Sequence, residues 1–244
     1  MIGGATRLVG LVGHPVAGSL SPRMQNAAFA ARGLDWAYVP LEVAPAGLAE
    51  AVRGLPALGF AGVNVTMPHK SAAAELCDEL DELSRAAGAV NTLVFSGGRI
   101  VGSNTDGPAV VAAVEAQGAR ALVLGRGGAA RVVAAALERA GAEVQLAGRG
   151  DAGWLPSGAD ATILVNATPV RDELLVEPRA HQQVVDLAYR AGAGPTALVA
   201  AARAAGCETV VDGAEILVRQ GAASFELWTG VPAPVDVMRA AVAS

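Results

Sequence analysis

Residues 62–70 read Gly62-Val63-Asn64-Val65-Thr66-Met67-Pro68-His69-Lys70. The two valines alternate with polar residues, which predicts a short strand, and the Met67-Pro68 pair ends it before a predicted helix over 71–87. Lys70 is therefore expected at or just before a helix N-terminus, where the first-turn amides disfavour a positive charge. An ammonium group held there gives up its proton more readily than a free one, which suits a lysine that donates and accepts protons. A solvated turn lysine is the simpler interpretation of this one residue.

The composition is that of a globular protein with a mildly acidic charge balance. The chain has 244 residues, of which 52% are hydrophobic and 17% charged, and its net charge is -5. This length allows two domains that each bury a core. The lack of a basic block argues against nucleic-acid and anionic membrane partners, and no apolar run reaches the length of a membrane span. The N-terminal sequence has no signal-peptide pattern, so we expect a cytoplasmic protein.

The cysteines and histidines show no metal-binding or redox spacing. Cys77 and Cys207 lie far apart in the sequence, and His14, His69 and His181 are equally scattered. Spacing of this kind favours reduced cysteines and predicts no metal site.

Strand-like and helix-like segments alternate along the whole chain. Predicted strands include 7–12, 38–43, 62–66, 119–124 and 143–147, and predicted helices include 23–32, 48–54, 71–87 and 109–117. Gly97-Gly98 is expected to turn a hairpin. This alternation is typical of an α/β protein with parallel or mostly parallel sheets and helices on both faces. Several apolar runs end in polar or glycine residues, as in a doubly wound sheet that binds a ligand in a crevice.

A glycine loop follows the predicted strand 119–124 and opens a helix. It reads Gly125-Arg126-Gly127-Gly128-Ala129-Ala130. In this context the first glycine allows a tight turn, the second lets the backbone approach a pyrophosphate, and Ala130 permits close packing of the helix on the strand. The loop predicts a dinucleotide site, and a glycine loop without a ligand is the alternative.

The end of the next predicted strand indicates which dinucleotide binds. An NAD site places an acidic residue there, whereas this chain has Arg149 and no acid before Asp151. A guanidinium can donate two hydrogen bonds to a 2′-phosphate. A charged contact of about 1.5–3 kcal/mol would favour NADP over NAD by roughly ten- to a hundredfold. A solvated arginine at a strand end is the alternative.

Short polar side chains gather near several predicted strand ends and one helix start. Ser19 and Ser21, held by Pro22, can present two hydroxyls and helix amides to a small anion, although an ordinary helix N-cap looks the same. Further short polar groups are Asn64, Thr66, Asn91, Thr92, Asn104, Thr105 and Asp106. This set suits a polyhydroxylated ligand.

The ordered motifs together resemble the shikimate dehydrogenase family over nearly the whole chain. In the first half they are Gly13-x-Pro15, Ser19-x-Ser21-Pro22, Asn26-Ala27-Ala28-Phe29, Asn64-Val65-Thr66-x-Pro68-x-Lys70, Gly88-Ala89-x-Asn91-Thr92 and Asn104-Thr105-Asp106. In the second half they are the glycine loop, Asn166-Ala167-Thr168-Pro169, Asp186-x-x-Tyr189 and the run from Gln220-Gly221-Ala222 to Phe225-Glu226-Leu227-Trp228-Thr229-Gly230.

The resemblance implies a fold and an activity. It implies an α/β substrate-binding domain over 1–102, completed by helices in 214–244, and a Rossmann-like NADP-binding domain over 103–213. The implied reaction is the reversible, NADPH-dependent reduction of 3-dehydroshikimate to shikimate, a step toward chorismate and the aromatic amino acids. The implied partners are the small-molecule substrate and NADP(H), with no nucleic acid, membrane or metal, in a monomer or homodimer.

The resemblance also implies roles for individual residues. The catalytic pair would be Lys70 and Asp106. The substrate would contact Ser19, Ser21, Thr66, Lys70, Asn91, Asp106, Tyr189 and Gln220. The cofactor would contact Gly125, Arg126, Gly127, Gly128, Ala129, Arg149, Leu187 and Gly213.

The chain departs from the family pattern at several of these places. Gly18 and Gln25 stand where histidine is usual, so we expect a looser or differently shaped substrate loop. Gly148 and Gly150 replace the asparagine and threonine that usually flank the cofactor arginine, which weakens the expectation of strict NADP preference. Arg126 stands where a small residue is usual and is able to add a phosphate contact.

Two other functions fit the sequence. One is a quinate or aminoshikimate dehydrogenase of the same fold, which the Gly18 substitution allows. The other is a non-catalytic sensor of a shikimate-like acid. A sensor has no need of a proton-donor pair such as Lys70 and Asp106 together with a dinucleotide-binding loop. The enzyme is therefore the favoured interpretation.

Overall fold

The computed structural model describes residues 2–154, 156–190, 192 and 194–243. The chain divides into two compact units, Met1–Thr105 together with Val218–Ser244, and Asp106–Leu217. The boundaries predicted from the sequence, after residues 102 and 213, differ from these by three and four residues. The first unit is therefore assembled from two separate stretches of chain, and the second is continuous.

The first unit is built on a mixed sheet flanked by helices. Its elements up to Thr105 are β1 (Arg7–Gly13), α1 (Ser21–Ala31), β2 (Trp36–Glu42), α2 (Leu48–Gly54), β3 (Phe60–Val65), α3 (Lys70–Ala74), β4 (Glu79–Leu80), α4 (Glu82–Ala87), β5 (Thr92–Ser96) and β6 (Arg99–Ser103). The strand order is β2-β1-β3-β5-β6-β4. Strands β1, β2 and β3 run parallel, β5 pairs antiparallel with both β3 and β6, and β4 runs parallel to β6.

The two strongest local signals of the first unit form as predicted. Strand β3 is buried along almost its whole length, and Val63 and Val65 lie in a core with Val12 and Leu93. The chain turns between β5 and β6 at Gly97 and Gly98, whose φ angles are 58° and 77°. Such left-handed angles are easily adopted by glycine, so the hairpin prediction is confirmed.

The single helix predicted over 71–87 is wrong, because its middle pairs with β6. Asp78 donates its amide to the Ile100 carbonyl at 2.8 Å, and its Oδ2 accepts the Ile100 amide at 2.7 Å. Asp81 donates its amide to Gly102 at 3.1 Å, and its Oδ1 then caps α4 by accepting the Ser84 amide at 2.6 Å. These long-range hydrogen bonds outweigh the local helical pattern and split it into α3, β4 and α4.

The second unit is a five-stranded parallel sheet of the Rossmann type. Its elements are α5 (Asp106–Val111), β7 (Arg120–Leu124), α6 (Gly128–Arg139), β8 (Glu143–Ala147), β9 (Ile163–Asn166), β10 (Gln183–Asp186), α7 (Ala197–Ala204) and β11 (Thr209–Val211). The strand order is β11-β10-β9-β7-β8, and all pairs are parallel. Strand β8 matches its predicted bounds, whereas the helix predicted over 109–117 begins at Asp106 and ends at Val111.

Two helices at the end of the chain complete the first unit. Helix α8 (Gly213–Thr229) starts in the second unit and continues into the first, and α9 (Val235–Ala243) follows it. Phe225 of α8 stacks on Phe29 of α1 with ring centroids 5.2 Å apart. Trp228 donates its indole N–H to the Leu93 carbonyl at 3.0 Å. These contacts fix α8 against both α1 and the sheet.

Within the described ranges, no helix is both long enough and apolar enough to cross a bilayer.

Candidate functional site

In the first unit, the loop after β1 and the turn after β3 lie side by side. The His14 amide donates to the Met67 carbonyl at 3.0 Å, and the Thr66 amide donates to the Val12 carbonyl at 2.9 Å. A Cβ atom on Gly13 would collide with the Thr66 side chain, so glycine is required for this close approach. Parallel strands bring their carboxyl ends to one edge of a sheet, which is where loops carry ligand-binding residues.

Lys70 is the first residue of α3, as the sequence predicted. The turn before it is held by His69, which is only 2% exposed. The His69 ring donates from Nε2 to the Val43 carbonyl at 2.7 Å, because a carbonyl oxygen only accepts. The Lys70 carbonyl accepts the Val90 amide at 2.9 Å. The lysine backbone is thus fixed on both sides, while its side chain is half-buried.

A buried polar cluster lies beside this turn and consists of Tyr38, Asn64, Asn91, Thr92, Thr105 and Ser224. Asn64 Nδ2 donates to the Asn91 carbonyl (3.0 Å), Thr92 Oγ1 (3.1 Å) and Ser224 Oγ (3.0 Å). Tyr38 donates its hydroxyl to Asn64 Oδ1 at 2.8 Å. Each side chain therefore fixes its neighbours, and the cluster joins β2, β3, β5 and α8.

The same cluster positions two residues expected to contact the substrate. Asn91 Nδ2 donates to Thr105 Oγ1 at 2.9 Å and approaches Gln220 Oε1 at 3.3 Å. Asn91 Oδ1 accepts the Thr105 amide at 2.9 Å. Thr105 immediately precedes Asp106, which is 6% exposed and opens α5. The first unit thus brings together Asn91 and Gln220, while Asp106 and Tyr189 belong to the second unit.

The serine loop has a defined internal structure. Ser19 Oγ accepts the Ser21 amide at 3.2 Å, and the Ser19 amide donates to the Val16 carbonyl at 3.0 Å. Helix α1 starts at Ser21, two residues earlier than predicted, with Pro22 in its first turn. Because the Ser19 oxygen accepts in this contact, the hydrogen of the hydroxyl is not used in it. Gln25 points elsewhere, since its Nε2 donates to the Gly221 carbonyl at 2.8 Å.

In the second unit, the glycine loop lies where the strand order reverses. Strand β7 has β8 on one side and β9 on the other, and ligands of open α/β sheets bind outside the carboxyl ends of the strands at such a point. Gly125 has φ of 127°, and a Cβ there would lie 3.2 Å from both Ala130 Cβ and the Ala167 carbonyl. Gly127 caps α6 without a side-chain hydrogen bond, and the space where its Cβ would lie is open.

These features fit a dinucleotide pyrophosphate. The first amides of α6 have no helical partner, and their partial positive charge attracts an anion. Gly213 provides a second close approach of backbone, since a Cβ there would collide with the Ala188 carbonyl and lie 2.8 Å from that of Leu187. Glycine is therefore required at position 213 for the start of α8 to pack against the backbone that follows β10.

A buried carboxylate that sequence reasoning left without a role supports this edge of the sheet. Asp186 is fully buried and accepts hydrogen bonds from Thr196 Oγ1 (2.5 Å), Asn166 Nδ2 (2.9 Å) and the Ala188 amide (2.9 Å). Burial raises the pKa of Asp186 above its ordinary value, although these three hydrogen bonds oppose the shift. Its position three residues before Tyr189 in a strand-end motif was the signal available in the sequence.

The end of β8 carries charged residues. Arg149 follows Gly148 directly and is exposed, and no hydrogen bond or ion pair of its side chain is found within the described residues. Arg126 of the glycine loop instead forms an ion pair with Asp151. Across the described part of the chain, no group of three His, Cys, Asp or Glu side chains is placed to hold a metal ion.

The fold and these two groups of residues define a two-unit α/β protein with a Rossmann-like nucleotide-binding unit. A family model described as the shikimate dehydrogenase substrate binding domain matches residues 11–93, and one described as the shikimate 5'-dehydrogenase C-terminal domain matches residues 213–243. The NADP(+) shikimate dehydrogenase of Anaeromyxobacter dehalogenans is 47% identical over 276 aligned positions, which cover 98% of this chain and 97% of that protein. The chain belongs to the shikimate dehydrogenase family.

Two solved structures share the fold over nearly their full length. Shikimate 5-dehydrogenase from Thermus thermophilus, in complex with NADP(H) and shikimate, has a TM-score of 0.86 and 34% identity, with 97% of this chain and 98% of that chain covered. Shikimate 5-dehydrogenase from Listeria monocytogenes, in complex with shikimate and NAD, has a TM-score of 0.86 and 29% identity, with 98% and 97% covered. Related proteins are therefore seen with either dinucleotide.

Proposed function

We propose that the protein reversibly reduces 3-dehydroshikimate to shikimate with NADPH. Family membership over nearly the whole chain supports this proposal, and the residue that carries it is Lys70. The chain has 18 lysine and arginine residues in total, and Lys70 is the single lysine among them. Arginine is always charged in proteins and is a poor proton donor in catalysis. The only lysine of the chain thus stands at the start of α3.

The second unit would bind the cofactor. The open amides at the start of α6 would hold the pyrophosphate, with Gly125, Gly127, Gly128 and Ala129 leaving room for it. The exposed guanidinium of Arg149 would contact the 2′-phosphate, and the backbone at Leu187 and Gly213 would face the nicotinamide. Bound NADPH supplies a hydride to the ring carbonyl carbon.

The first unit would bind and orient the substrate. Ser19 and Ser21 would hold its carboxylate with help from Tyr189, and Thr66, Asn91 and Gln220 would hold the ring hydroxyls. Lys70 would donate a proton to the forming alkoxide oxygen, and Asp106 would keep the lysine side chain in position. In the reverse direction the same lysine would accept that proton.

A turnover assay tests the proposal directly. Purified protein is mixed with shikimate and NADP⁺ at mildly alkaline pH, and NADPH absorbance is followed beside matched wells that contain NAD⁺ or quinate. We expect the fastest turnover with shikimate and NADP⁺. Faster turnover with quinate would reassign the substrate, and no turnover in any well, with shikimate binding still detected by calorimetry, would favour the sensor.

The cellular location and the oligomeric state of the protein stay predictions. We propose a cytoplasmic enzyme, in keeping with the free state of Cys77 and Cys207, and a monomer or homodimer. Sedimentation equilibrium of the purified protein would distinguish the two assembly states.

A further inference from the structure

Arg126 and Asp151 form a two-point contact at the end of β8. Arg126 donates to Asp151 Oδ2 from Nε at 3.1 Å and from Nη2 at 2.6 Å. The same oxygen accepts the Gly148 amide at 2.7 Å. Asp151 donates its own amide back to the Gly148 carbonyl at 3.0 Å. The carboxylate is therefore held in one place by three donors.

That place is the end of the strand. Strand β8 ends at Ala147, and the Asp151 carboxylate binds the next amide along the chain, that of Gly148. An acidic residue at this strand end is the feature that accepts the ribose hydroxyls of NAD in dinucleotide-binding sheets. The residues directly after β8 include no acid before Asp151, but the turn over 148–151 places the Asp151 carboxylate at the end of this strand.

Gly148 makes the contact with Arg126 possible. A Cβ atom on Gly148 would collide with Arg126 Cγ, so any larger residue would push the arginine off the strand end. The three departures from the family pattern at Arg126, Gly148 and Gly150 now have a shared explanation. Gly148 leaves room for Arg126, and Gly150, with φ of 102°, lets the chain turn back so that Asp151 reaches the strand.

The charges of Arg126 and Asp151 affect how this strand end would bind a ligand that carries a phosphate. A cavity of about 280 Å³ opens beside the pair, lined by Arg126, Ala147, Asp151 and Pro156 among others. The pKa of Asp151 lies below its usual range, first because of its hydrogen bond from Arg126 and then because of the Gly148 amide. The acid is therefore ionised at neutral pH, and an uncovered negative charge there would repel a 2′-phosphate.

We propose that Arg126 and Asp151 together set the choice between NADP and NAD, with Arg126 covering an acid that would otherwise bind the ribose of NAD. This inference rests on the proposed function. Asp151 occupies Nε and Nη2 of Arg126, while Nη1 makes no hydrogen bond within the described residues. A guanidinium has five N–H donors, so Arg126 can donate to Asp151 and to a 2′-phosphate at once.

The proposal predicts opposite effects for the two single variants. Arg126→Ala removes a phosphate donor and uncovers the acid, so the preference for NADP over NAD falls by about ten- to a hundredfold. Asp151→Asn keeps an oxygen for the Gly148 amide and removes the negative charge, so the preference rises by about threefold or more. In the double variant the uncovered charge is gone, so the preference falls by much less than in Arg126→Ala alone.

Binding is measured by calorimetry with adenosine 2′,5′-bisphosphate and adenosine 5′-monophosphate, and turnover is measured with NADP⁺ and NAD⁺. Arg139→Ala, at the exposed far end of α6, removes the same charge and serves as the control. Circular dichroism checks that every variant is folded. The expected result is a shift of both the binding ratio and the turnover ratio in the Arg126 and Asp151 variants and in neither ratio for the control.

Two results would overturn the inference alone. One is an Arg126→Ala protein whose ratios stay within about twofold of wild type. The other is a double variant that loses as much preference as Arg126→Ala, which would make Arg126 an ordinary phosphate contact. Wild type that binds neither nucleotide and turns over neither cofactor would overturn the proposed function, and this inference with it.

Discussion

The buried polar cluster of the first unit and the charged end of β8 in the second use polar side chains in opposite ways. The cluster is neutral, and its members Asn64, Asn91 and Ser224 are at most 5% exposed. At the end of β8, the side chains of Arg126 and Asp151 are 56% and 33% exposed and carry full charges. Buried hydrogen-bonded groups are costly to disturb, whereas exposed ion pairs contribute little to stability. The cluster thus maintains geometry, whereas the charged group contributes little to stability and is compatible with the discrimination between ligands that we propose for it.

The largest effect is expected at Lys70, which lies beside the cluster at the start of α3. Lys70→Ala should lower kcat by about 10²- to 10⁴-fold without unfolding the protein, because a positioned proton donor is removed. Lys70→Arg keeps the charge and should be nearly as slow, since arginine does not release its proton at neutral pH. Steady-state kinetics with shikimate and NADP⁺ measures both.

The single lysine also permits a direct measurement. Reductive methylation with ¹³C-formaldehyde labels Lys70 and the terminal amine, so its titration can be followed by NMR. Near-normal turnover by Lys70→Arg would contradict the proton-donor role.

Asp106→Asn tests the partner, and unchanged turnover by that variant would reduce Asp106 to a structural contact.

The next largest effect is expected from breaking the cluster at Asn64. Asn64→Ala removes the Oδ1 that accepts from the Tyr38 hydroxyl, removes the Nδ2 donor of the cluster and opens a cavity, so it should cost about 3–5 kcal/mol of unfolding free energy. Urea denaturation measures this cost. Asn26→Ala removes the same atoms from an exposed asparagine that bonds the backbone of Tyr38, and should cost about 1 kcal/mol. Equal losses of unfolding free energy in the two variants would show that burial of the cluster does not increase its contribution to stability.

Asp186 departs from this contrast between a buried neutral cluster and an exposed charged pair. It is an acidic residue, yet it is fully buried in the second unit. Asp186→Asn should cost about 1–3 kcal/mol at neutral pH, because three donors converge on the carboxylate and an amide NH₂ in place of one oxygen cannot accept from them. The cost should grow as the pH falls. Burial raises the folded-state pKa, so wild type gains stability as the pH drops through that value toward the ordinary value of 3.8. Urea denaturation of both proteins at several pH values measures the difference, and a constant difference would contradict the assignment.

Ser224 should show a smaller effect within the cluster. Ser224→Ala removes contacts to Asn64 and Thr92 Oγ1, but Asn64 keeps the Asn91 carbonyl and Thr92 as acceptors. We expect a loss of about 1 kcal/mol, measured by thermal or urea unfolding. Because Ser224 lies one turn after Gln220, the KM for shikimate should rise while the KM for NADP⁺ stays constant. A rise in both values would argue against local positioning.

The smallest effect is expected from the charged group itself. Arg126→Ala should change the unfolding free energy by less than about 0.5 kcal/mol, because the ion pair with Asp151 is largely exposed. Urea denaturation beside Arg139→Ala measures it. A loss of more than about 2 kcal/mol would make the pair structural and would remove the contrast with the cluster.

Local sequence signals predicted the elements whose structure is decided locally. The glycine loop, the Gly97-Gly98 hairpin and strand β8 form where they were expected. The helix over 71–87 failed because Asp78 and Asp81 pair with β6, some twenty residues away in the chain, and no local pattern reports that pairing. The local sequence pattern also does not indicate that Asp151 lies at the end of β8. That position depends on the turn over 148–151, which brings its carboxylate to the Gly148 amide.

The candidate site was predicted unevenly for the same reason. Residues inside dense motifs, such as Lys70 and Asn91, were named as candidates from the sequence, and their roles stay predictions. Ser224 and Tyr38 were missed because their partners lie on other elements, although the spacing of four residues between Gln220 and Ser224 places both on one face of a helix. Tertiary contacts decide such roles.

The discontinuity of the first unit has a consequence for how the chain folds as it is made. The second unit, Asp106–Leu217, is continuous and leaves the ribosome complete while the first still lacks α8 and α9. Until then Phe29 lacks its stacking partner Phe225, and Asn64 lacks Ser224. The unit encoded first therefore cannot complete its core until the last residues of the chain have been made, and a chain that ends before Val218 would contain the whole second unit but only part of the first.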